Sequence, residues 1–396
     1  MPKKMRALIV IDNMDTGGIA SSLYNFLSFN SEELDCDLLV FNKDSIDRNK
    51  IPGNVNVLNT PKLLKVLGMS QSEIRRESLL LAAIRALLVA ITRIINGEAA
   101  RKLLMPFLNK MQGYDLAISY AHDNGWKSLS KGCNDFVAKK VTARAKIAYI
   151  HCDYANYGGY DKRQAQLFER FDYIAFVSHS CEKNFRMMFP RLKTKTIVLE
   201  NFTNTDQIWK LADLGSINYD QSIKNFVSVC RLSSVKGLDR VIHAFHDLEE
   251  EGLKNYKWVI VGDGPEYPNL VSAVKAYGLD NRIVFVGNKS NPYPYLKNAY
   301  ALLVPSLHEA APMVYSESAA LGVPIITTET CSAIELVHDR KIGIVVKNDE
   351  DSIKDVLKEL LCGRMELIKI TMPEGSINEN AKKQLAMLLM QIKNSR

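Results

Sequence analysis

The chain has 396 residues, of which 47% are hydrophobic and 24% are charged, with 51 Lys and Arg against 44 Asp and Glu. This length is too great for one ordinary domain, and the composition excludes a disordered or fibrous protein. Seven scattered cysteines without a CxxC pair argue against a disulfide framework and favour a reducing, cytoplasmic location. The N-terminal apolar run is short and reaches Asp12, which predicts a first strand rather than a signal peptide.

Short β-rich apolar runs alternate with longer helical patterns along the whole chain. In the first half, strands are predicted at residues 6–12, 36–41, 115–120, 146–150, 173–178 and 196–199. In the second half, strands are predicted at residues 225–231, 257–262, 282–287, 301–305, 323–328 and 343–346. This alternation predicts two α/β domains, each built on a buried parallel sheet.

The polar stretch 204–224 is predicted to link a first domain, residues 1–203, to a second domain, residues 225–375. Residues 376–396 are predicted to contain an amphipathic closing helix that could pack on either domain, including back on the first. Its apolar residues at helical spacing are Ala381, Leu385, Leu388, Leu389 and Ile392.

The net charge of +7 is unevenly placed, because residues 61–150 hold 15 Lys and Arg against six Asp and Glu. Nucleic acid, an anionic membrane surface or a phosphorylated lipid all fit such a patch on charge alone. Within it, Arg85 and Arg93 interrupt the most apolar segment, 79–95, which is therefore too short to span a bilayer.

An apolar stripe in segment 79–95 fits either a helix on an anionic membrane surface or a buried helix of the first domain. The stripe comprises Leu80, Ile84, Leu87, Leu88, Ile91 and Ile95. Its basic neighbours are Arg75, Arg76, Arg101 and Lys102.

The stretch 305–326 follows a predicted strand and contains two carboxylates, Glu309 and Glu317, eight residues apart. Pro312 is predicted to open a helix, so that the amides near Met313 and Val314 point at a ligand above the strand. Carboxylates select polyhydroxyl ligands, since a hydrogen bond to an ionised group contributes roughly 1.5–3 kcal/mol. The plain alternative is a pair of surface glutamates.

Two further motifs follow strands of the second domain. Arg231 and Lys236 lie five residues apart across a strand-to-helix turn, where both cations can converge on one pyrophosphate beside Gly237. The plain alternative is two solvated cations on a surface turn. A glycine turn, residues 261–265, follows the next strand and contains Gly262, whose contact with a ligand competes with a purely structural role.

These motifs together resemble the signature of the retaining glycosyltransferases of family 4. The resemblance rests on Glu309, seven intervening residues and Glu317, followed by Ala-Leu-Gly-Val-Pro, and on the Arg231, Lys236 and glycine-turn motifs before them. Residues 288–295 and Glu200-Asn201-Phe202 fit as well. The resemblance covers the second domain and implies a GT-B fold, with two Rossmann-like α/β domains facing across a cleft.

The resemblance also implies roles for individual residues. Arg231, Lys236 and Glu309 would be catalytic, with the cations on the donor diphosphate and Glu309 on the sugar. Glu317 would bind the ribose. Further donor contacts would come from Gly262, Asn288, Pro312, Met313 and Val314. Ala310 stands where many relatives have glycine and Ala311 where many have a larger residue, which leaves the donor sugar open.

Two glycines and four polar residues of the first domain complete the predicted site. Gly17 and Gly18 lie between the first strand and the first helix, where the resembled family brings the loop to the donor phosphate or the acceptor, although a turn without ligand is the alternative. His151 would contact the donor sugar, with a structural histidine as its alternative. The acceptor side would hold His122, Asp123 and Asp153. The string Asp35-Cys36-Asp37 spells the metal-binding motif DxD, but we interpret it as coincidence.

The sequence therefore predicts a retaining, metal-independent hexosyltransferase without a cofactor, which uses a nucleotide-sugar donor, with a UDP-sugar favoured. Its acceptor would be a saccharide or lipid-linked saccharide of cell-surface polysaccharide synthesis. Residues 61–150 would contact an anionic membrane at the inner face of the cell membrane, and no nucleic acid is expected. The alternatives are a nucleotide-sugar epimerase on the same fold and a catalytically silent sugar-binding or scaffold subunit.

Overall fold

The structure is a computed structural model that describes residues 4–15, 17–122, 128–129, 131–156, 162–215, 217–371 and 375–394. The chain divides into two compact units. The first unit comprises Met1–Phe202 with Asn378–Arg396, and the second comprises Thr203–Ile377.

The strands of the described residues follow the predicted apolar runs closely. They are β1 (Met5–Ile11), β2 (Leu34–Val40), β3 (Asn56–Val57), β4 (Met111–Ser119), β5 (Val141–Ile150), β6 (Tyr173–Phe176), β7 (Thr196–Val198), β8 (Lys224–Val229), β9 (Tyr256–Val261), β10 (Ile283–Gly287), β11 (Ala301–Val304), β12 (Ile325–Thr328) and β13 (Gly343–Val346). All twelve predicted strands are present, and the two-residue strand β3 is an addition.

The α-helices lie between these strands and at the C-terminal end. They are α1 (Gly18–Asn30), α2 (Lys62–Gly68), α3 (Gln71–Glu77), α4 (Leu79–Ile94), α5 (Gly97–Leu104), α6 (Cys133–Lys140), α7 (Lys162–Phe168), α8 (His179–Met188), α9 (Thr205–Asp213), α10 (Leu238–Glu250), α11 (Tyr267–Ala276), α12 (Tyr293–Lys297), α13 (Met313–Ala320), α14 (Glu350–Leu361) and α15 (Glu379–Asn394). In the described ranges, no helix combines the length and the apolarity that crossing a bilayer requires.

Both units contain a parallel sheet with the strand order of the Rossmann fold. The first sheet has the order β3-β2-β1-β4-β5-β6-β7, and the second has the order β10-β9-β8-β11-β12-β13. In each sheet the order reverses between the first and fourth strands, where the loops at the carboxyl ends lead in opposite directions. This reversal makes the pairs β1 with β4 and β8 with β11 the expected ligand-binding edges.

The core of the second unit lies on both faces of its sheet. Along β9, Trp258 and Ile260 pack on one face, while Val259 and Val261 pack on the other. Side chains of a strand alternate between the two faces of its sheet, so a strand buried on both sides has a continuous apolar sequence. Helices α10, α11 and α14 cover the first face, and α9 and α13 cover the second.

The segment 204–224, predicted as a linker, lies within the second unit. Its helix α9 buries Ile208 and Ala212, which are four residues apart and so share one face of the helix. Asn204 begins the helix by accepting a hydrogen bond from the Gln207 amide at 3.1 Å. This segment therefore contributes to the core of the second unit.

The closing helix α15 packs on the first unit. Its five buried residues are the five that the helical spacing identified: Ala381, Leu385, Leu388, Leu389 and Ile392. The Gln384 side-chain oxygen accepts a hydrogen bond from the Glu200 amide at 2.8 Å, and Arg144 donates to the Lys393 carbonyl at 2.8 Å.

Helix α4 lies at the surface of the first unit and packs against α2, α3 and α5. Leu88 and Thr92 are buried, whereas Leu80, Leu87 and Ile94 are 72%, 63% and 82% exposed. The predicted stripe spans about 100° of the helix surface and is one face, with Leu88 at its buried edge and Leu80 and Leu87 at its exposed edge. The helix has one buried side and one exposed apolar side.

The basic residues near this helix also comprise exposed and buried members. Arg75, Arg76 and Lys102 are exposed. Arg101 is buried, and its Nε donates to Asp135 Oδ2 at 2.7 Å. The prediction that Arg101 flanks a surface stripe is therefore wrong, because a buried carboxylate holds its guanidinium in the core, where burial is tolerated only with such a partner.

Candidate functional site

The predicted cations and the predicted carboxylate Glu309 meet at the strand-order reversal of the second unit. Arg231 and Lys236 follow β8, and Glu309 follows β11, the neighbouring strand. Lys236 Nζ donates to Glu309 Oε1 at 2.5 Å. Because the two strands are parallel and adjacent, their carboxyl ends bring residues 73 positions apart into contact.

The Lys236–Glu309 pair is partly buried and has one further partner. The two side chains are 22% and 12% exposed, and Glu309 Oε1 also accepts from Ser306 Oγ at 2.9 Å. Arg231 is exposed and forms no ion pair within the described ranges. The edge therefore presents one unpaired cation and one cation paired with a carboxylate.

The glycine turn after β9 packs directly against the Arg231 turn. Gly262 has φ 145°, and its amide donates to the Gly287 carbonyl at 2.9 Å. A Cβ at this position would lie 1.8 Å from the Cys230 carbonyl oxygen. Close packing therefore accounts for the glycine, and its contact with a ligand stays a prediction.

Replacing Gly262 with alanine is expected to lower the free energy of unfolding of the protein by about 3 kcal/mol, because strained φ and a backbone overlap combine. The matched control is Gly252→Ala, where φ is 85° but no atom lies within 4 Å of the added Cβ. That control should lose only about 1 kcal/mol for the left-handed conformation. Equal losses in thermal or urea unfolding would contradict the overlap.

Helix α13 begins at Met313, directly after Pro312, which has φ −66° and ψ 130°. Pro312 therefore precedes the first helical residue, as the prediction that it opens the helix requires. Met313 is buried and Val314 is half-buried. The amides of a first helical turn have no partner within the helix, so those of Met313 and Val314 are suited to an anionic or polar ligand.

Glu317 lies on α13 and contacts a residue that the sequence analysis did not single out. Tyr293 donates its hydroxyl to Glu317 Oε1 at 3.3 Å. Burial raises the pKa of Glu317 to about 7, and the hydrogen bond from Tyr293 partly opposes this shift. The carboxyl is therefore poised to change its charge near neutral pH. Asn288 is exposed beside Gly287, next to the Gly262 turn.

Gly17 and Gly18 lie at the corresponding edge of the first unit, after β1. Gly18 begins α1, and Gly17 is extended with φ 167°. A Cβ at Gly18 would have no neighbour within 4 Å, and a Cβ at Gly17 would meet only Asp15 at 3.9 Å. Neither packing nor backbone strain within the described chain therefore requires these glycines, and a role in approaching a ligand stays a prediction.

His151 follows β5 and contacts two tyrosines, which also contact each other. Its ring centroid is 4.8 Å from that of Tyr120 and 4.2 Å from that of Tyr149. Burial and the nearby positive charge of Lys131 lower the pKa of His151 to about 3, so the imidazole is neutral at physiological pH. Its buried Nε2 has no hydrogen-bond partner among the described residues. A neutral ring is consistent with binding a hydroxyl group.

The predicted acceptor-side residues have different environments. His122 is buried, and burial lowers the pKa of its imidazole well below the usual value. Asp153 is buried and accepts from Asn156 Nδ2 at 2.7 Å and from Asn184 Nδ2 at 3.3 Å. The first bond lies within the turn of Asp153, and the second ties this turn to α8. Asp123 lies outside the described residues. No acceptor contact follows from this geometry alone.

Asp37, the second aspartate of the DxD string, is almost entirely engaged within the first unit. Its carboxylate accepts from Arg6 Nη2 at 3.1 Å, from Tyr114 Oη at 2.8 Å and from Asn56 Nδ2 at 2.6 Å. A structural role therefore accounts for it. Across the described ranges, no group of three or more His, Cys, Asp or Glu side chains is arranged to hold a metal ion, and metal independence stays a prediction.

Several residues at the second edge were missed by the sequence analysis. Ser306 contacts Glu309, Tyr293 contacts Glu317, and Arg240 donates through Nη1 to Asn348 Oδ1 at 2.9 Å. Ser306 and Asn348 each follow the carboxyl end of a predicted strand, which was the one available signal.

Comparison with known proteins finds a family model that matches most of the second unit. Residues 216–383 match the family model described as Glycosyl transferases group 1, a segment that includes Arg231, Lys236, Glu309 and Glu317. An N-acetyl-alpha-D-glucosaminyl L-malate synthase of Bacillus anthracis is 25% identical over 199 residues, 49% of this chain and 51% of the relative.

The O-antigen biosynthesis glycosyltransferase WclY of Escherichia coli is 30% identical over 142 residues, 35% of this chain and 38% of the relative. The chain thus spans about half or less of the length of these curated relatives. The crystal structure of Anabaena HepE in complex with UDP and glucose aligns over 98% of both chains, with a TM-score of 0.64 and 16% identity.

The chain therefore has the GT-B fold of two Rossmann-like units, which confirms the fold predicted from the sequence. Within it, residues 216–383 match the family model of the group 1 glycosyl transferases. The predicted resemblance is confirmed at this level, and the retaining subclass of family 4 stays a prediction.

Proposed function

We propose that the protein transfers a sugar from a nucleotide diphosphate donor to a saccharide or lipid-linked acceptor in cell-surface polysaccharide synthesis. The observation that carries this proposal is the ion pair of Lys236 with Glu309, which lies at the strand-order reversal of the second unit. Arg231, exposed and without an ion pair among the described residues, follows the same strand as Lys236, and the family model matches this segment. Cations there suit a diphosphate, and the carboxylate suits sugar hydroxyls. The relatives support the class of reaction, and the HepE complex with UDP and glucose supports a UDP-hexose as the first donor to test.

The proposed mechanism retains the configuration of the sugar and requires no metal. The acceptor hydroxyl oxygen forms a bond to the anomeric carbon on the face from which the diphosphate leaves. As the bond from that carbon to the diphosphate oxygen breaks, the hydroxyl proton passes to a phosphate oxygen. Arg231 and Lys236 stabilise the negative charge on the leaving diphosphate, and Glu309 orients the sugar. Glu317 accepts a hydrogen bond from the ribose.

The test is release of nucleotide from a panel of UDP-, GDP- and ADP-sugars, with and without a lipid-linked acceptor extract, followed by analysis of product stereochemistry. Acceptor-dependent release from one donor, with retained configuration, would support the proposal. Epimerised sugar without an acceptor would indicate an epimerase. Absence of both binding and release across the panel would indicate a silent subunit.

We further propose that the exposed side of α4 contacts an anionic membrane surface, where a lipid-linked acceptor would be reached. Seven of the 18 exposed large apolar residues in the described chain lie between positions 79 and 107: Leu79, Leu80, Leu87, Ile94, Ile95, Leu103 and Phe107. The exposed cations Arg75, Arg76, Arg93, Lys102 and Lys110 lie in or beside the same segment. Apolar burial and attraction to anionic lipid together favour such a helix at a membrane interface.

Replacing Leu87 with glutamate is expected to reduce binding to phosphatidylserine-containing vesicles at low salt by about tenfold or more, since burying a leucine contributes roughly 1.5–3 kcal/mol. Flotation of the protein with vesicles measures the bound fraction. The matched control is Met187→Glu, which changes a residue that is 65% exposed on α8 of the same unit. Wild-type protein that does not float, or two variants that behave alike, would contradict membrane contact through α4.

A further inference from the structure

Glu309 is presented by a short loop, residues 305–309, which we name the Glu309 loop. Three successive carbonyl oxygens of this loop each accept a hydrogen bond from a side chain of a different element. The pairs are Arg240 of α10 with the Pro305 oxygen, Thr328 of β12 with the Ser306 oxygen at 2.6 Å, and Asn348 with the Leu307 oxygen at 3.0 Å. The loop is therefore held by side chains although it has no regular secondary structure.

Asn348 links two of these contacts through the two ends of its amide. It lies between β13 and α14, and its Oδ1 accepts from Arg240 Nη1 at 2.9 Å. Its Nδ2 donates to the Leu307 carbonyl and, at 3.3 Å, to the Glu329 carbonyl. An amide with both ends engaged is fixed in orientation. Asn348 thereby connects the Glu309 loop to α10, in addition to the direct bond from Arg240 to the Pro305 carbonyl.

Helix α10 matters because the Lys236 turn leads directly into it. Gly237, with φ 60°, separates Lys236 from the first helical residue, and a Cβ at Gly237 would lie 2.4 Å from the Pro305 carbonyl oxygen. Arg240 lies on the first turn of the same helix. The backbone that carries Lys236 and the loop that carries Glu309 are therefore in close contact, with Arg240 bonded across the junction.

We propose that Arg240 and Asn348 are positioning residues that fix the Glu309 loop against the Lys236 turn before any donor binds. The expected effect on kcat/KM rests on the proposed function. The expected effect on the order of the Glu309 loop rests on the hydrogen bonds alone. Catalytic groups must be held closely in the productive geometry, and a misplacement of 1 Å can lower a rate about a hundredfold. Neither residue needs to touch the donor to have such an effect.

The structural consequence is tested on the unliganded protein by hydrogen exchange with mass spectrometry. Asn348→Ala is expected to raise amide exchange in peptides covering residues 306–309, with little change in α11 or α15. Asn348→Asp keeps the size of the side chain and an acceptor for Arg240 but places a carboxylate oxygen against the Leu307 carbonyl. It should therefore have the same effect, even if the alanine variant folds poorly.

The matched control is Asn269→Ala, which removes an exposed amide of α11 that donates a hydrogen bond to Glu266, the residue before this helix. This variant should leave exchange in residues 306–309 unchanged. If Asn348→Ala and Asn348→Asp also leave it unchanged, the positioning role is overturned, and this result does not depend on the identity of the donor.

The kinetic consequence is tested with UDP-glucose, or with the panel donor that the wild type turns over. Asn348→Ala should lower kcat/KM by about tenfold to a hundredfold through misplaced Glu309, whereas the affinity for free UDP stays within about twofold, since Arg231 and Lys236 remain. A general loss of folded structure would lower both kcat/KM and the affinity for UDP. Equal falls in these two quantities would therefore overturn the proposal.

A double variant shows whether Asn348 acts through Glu309. Residues that act as a unit give non-additive losses. Asn348→Ala combined with Glu309→Ala should lose no more affinity for the donor sugar than Glu309→Ala alone, and additive losses would overturn the proposal. If the wild type turns over no member of the panel, the proposed function fails, while the exchange experiment still decides the positioning role.

Discussion

Replacing Lys236 with alanine is expected to lower kcat/KM for sugar transfer by about 100- to 1,000-fold, the usual cost of removing one group that stabilises charge in a transition state. Lys236 is the cation already held at the strand-order reversal, 2.5 Å from Glu309. As the diphosphate leaves, its negative charge grows, and a fixed ammonium stabilises that charge more than it stabilises the bound donor. The loss should therefore appear mainly in kcat.

The same variant separates catalysis from stability. Glu309 would keep its hydrogen bond from Ser306 at 2.9 Å but lose its cation. Since both side chains of the pair are partly exposed, we expect only a small change in thermal stability. Lys275→Ala, at an exposed position on α11, is the matched control and should keep full activity. Full transfer activity in Lys236→Ala would exclude the proposed role of the ammonium.

Donor affinity is expected to fall about tenfold between pH 8 and pH 6, because one proton on Glu317 opposes binding. Burial raises the pKa of this carboxyl from 4.5 to about 7 in the free protein. A ribose hydroxyl donates to the carboxylate, so bound donor favours the ionised form and lowers the pKa. Affinity should therefore rise with pH through 7 and level off above it.

Glu317→Gln should remove this pH dependence and hold the affinity near the low-pH value of the wild type. Titration calorimetry with the intact nucleotide-sugar measures it, since the diphosphate of that ligand has no proton to release in this range. The pH dependence of the stability of the free protein is an independent check. A raised carboxyl pKa stabilises the folded state below pH 4.5, and this contribution is lost as pH rises through about 7. The same pH slope in both proteins would show that another group titrates.

Much of the fold could be predicted because parallel strands that are buried on both faces have continuous apolar sequences. The run at residues 257–262 predicted β9, where Trp258 and Val259 pack on opposite faces of the sheet. Strand β3 was missed because two residues carry no periodicity. The 204–224 segment was read as a linker since polar residues surround Ile208 and Ala212, and the short helix that buries them has too few turns to stand out.

Part of the candidate site could also be predicted, because the family resemblance placed Lys236 and Glu309 on the same donor. The parallel sheet brings the carboxyl ends of β8 and β11 to one edge, where the two side chains are in contact. It could not find Arg240 or Asn348, whose side chains bond to backbone carbonyls. Every residue has a carbonyl, so such contacts leave no pattern of residue types in the sequence. Composition also could not separate the buried Arg101 from the exposed Arg75, because the carboxylate partner of Arg101, Asp135, lies 34 residues away in the sequence.

Helix α15 bears on how the protein is made. The first unit needs Leu385, Leu388 and Ile392 to complete its packing, yet the ribosome adds them only after every residue of the second unit. The second unit is continuous in sequence and can fold as it emerges. The first unit must wait, with the apolar surface that α15 covers open to chaperones and proteases during that interval. A chain truncated after residue 377 and released from the ribosome should therefore carry a protease-resistant second unit beside an incompletely protected first one.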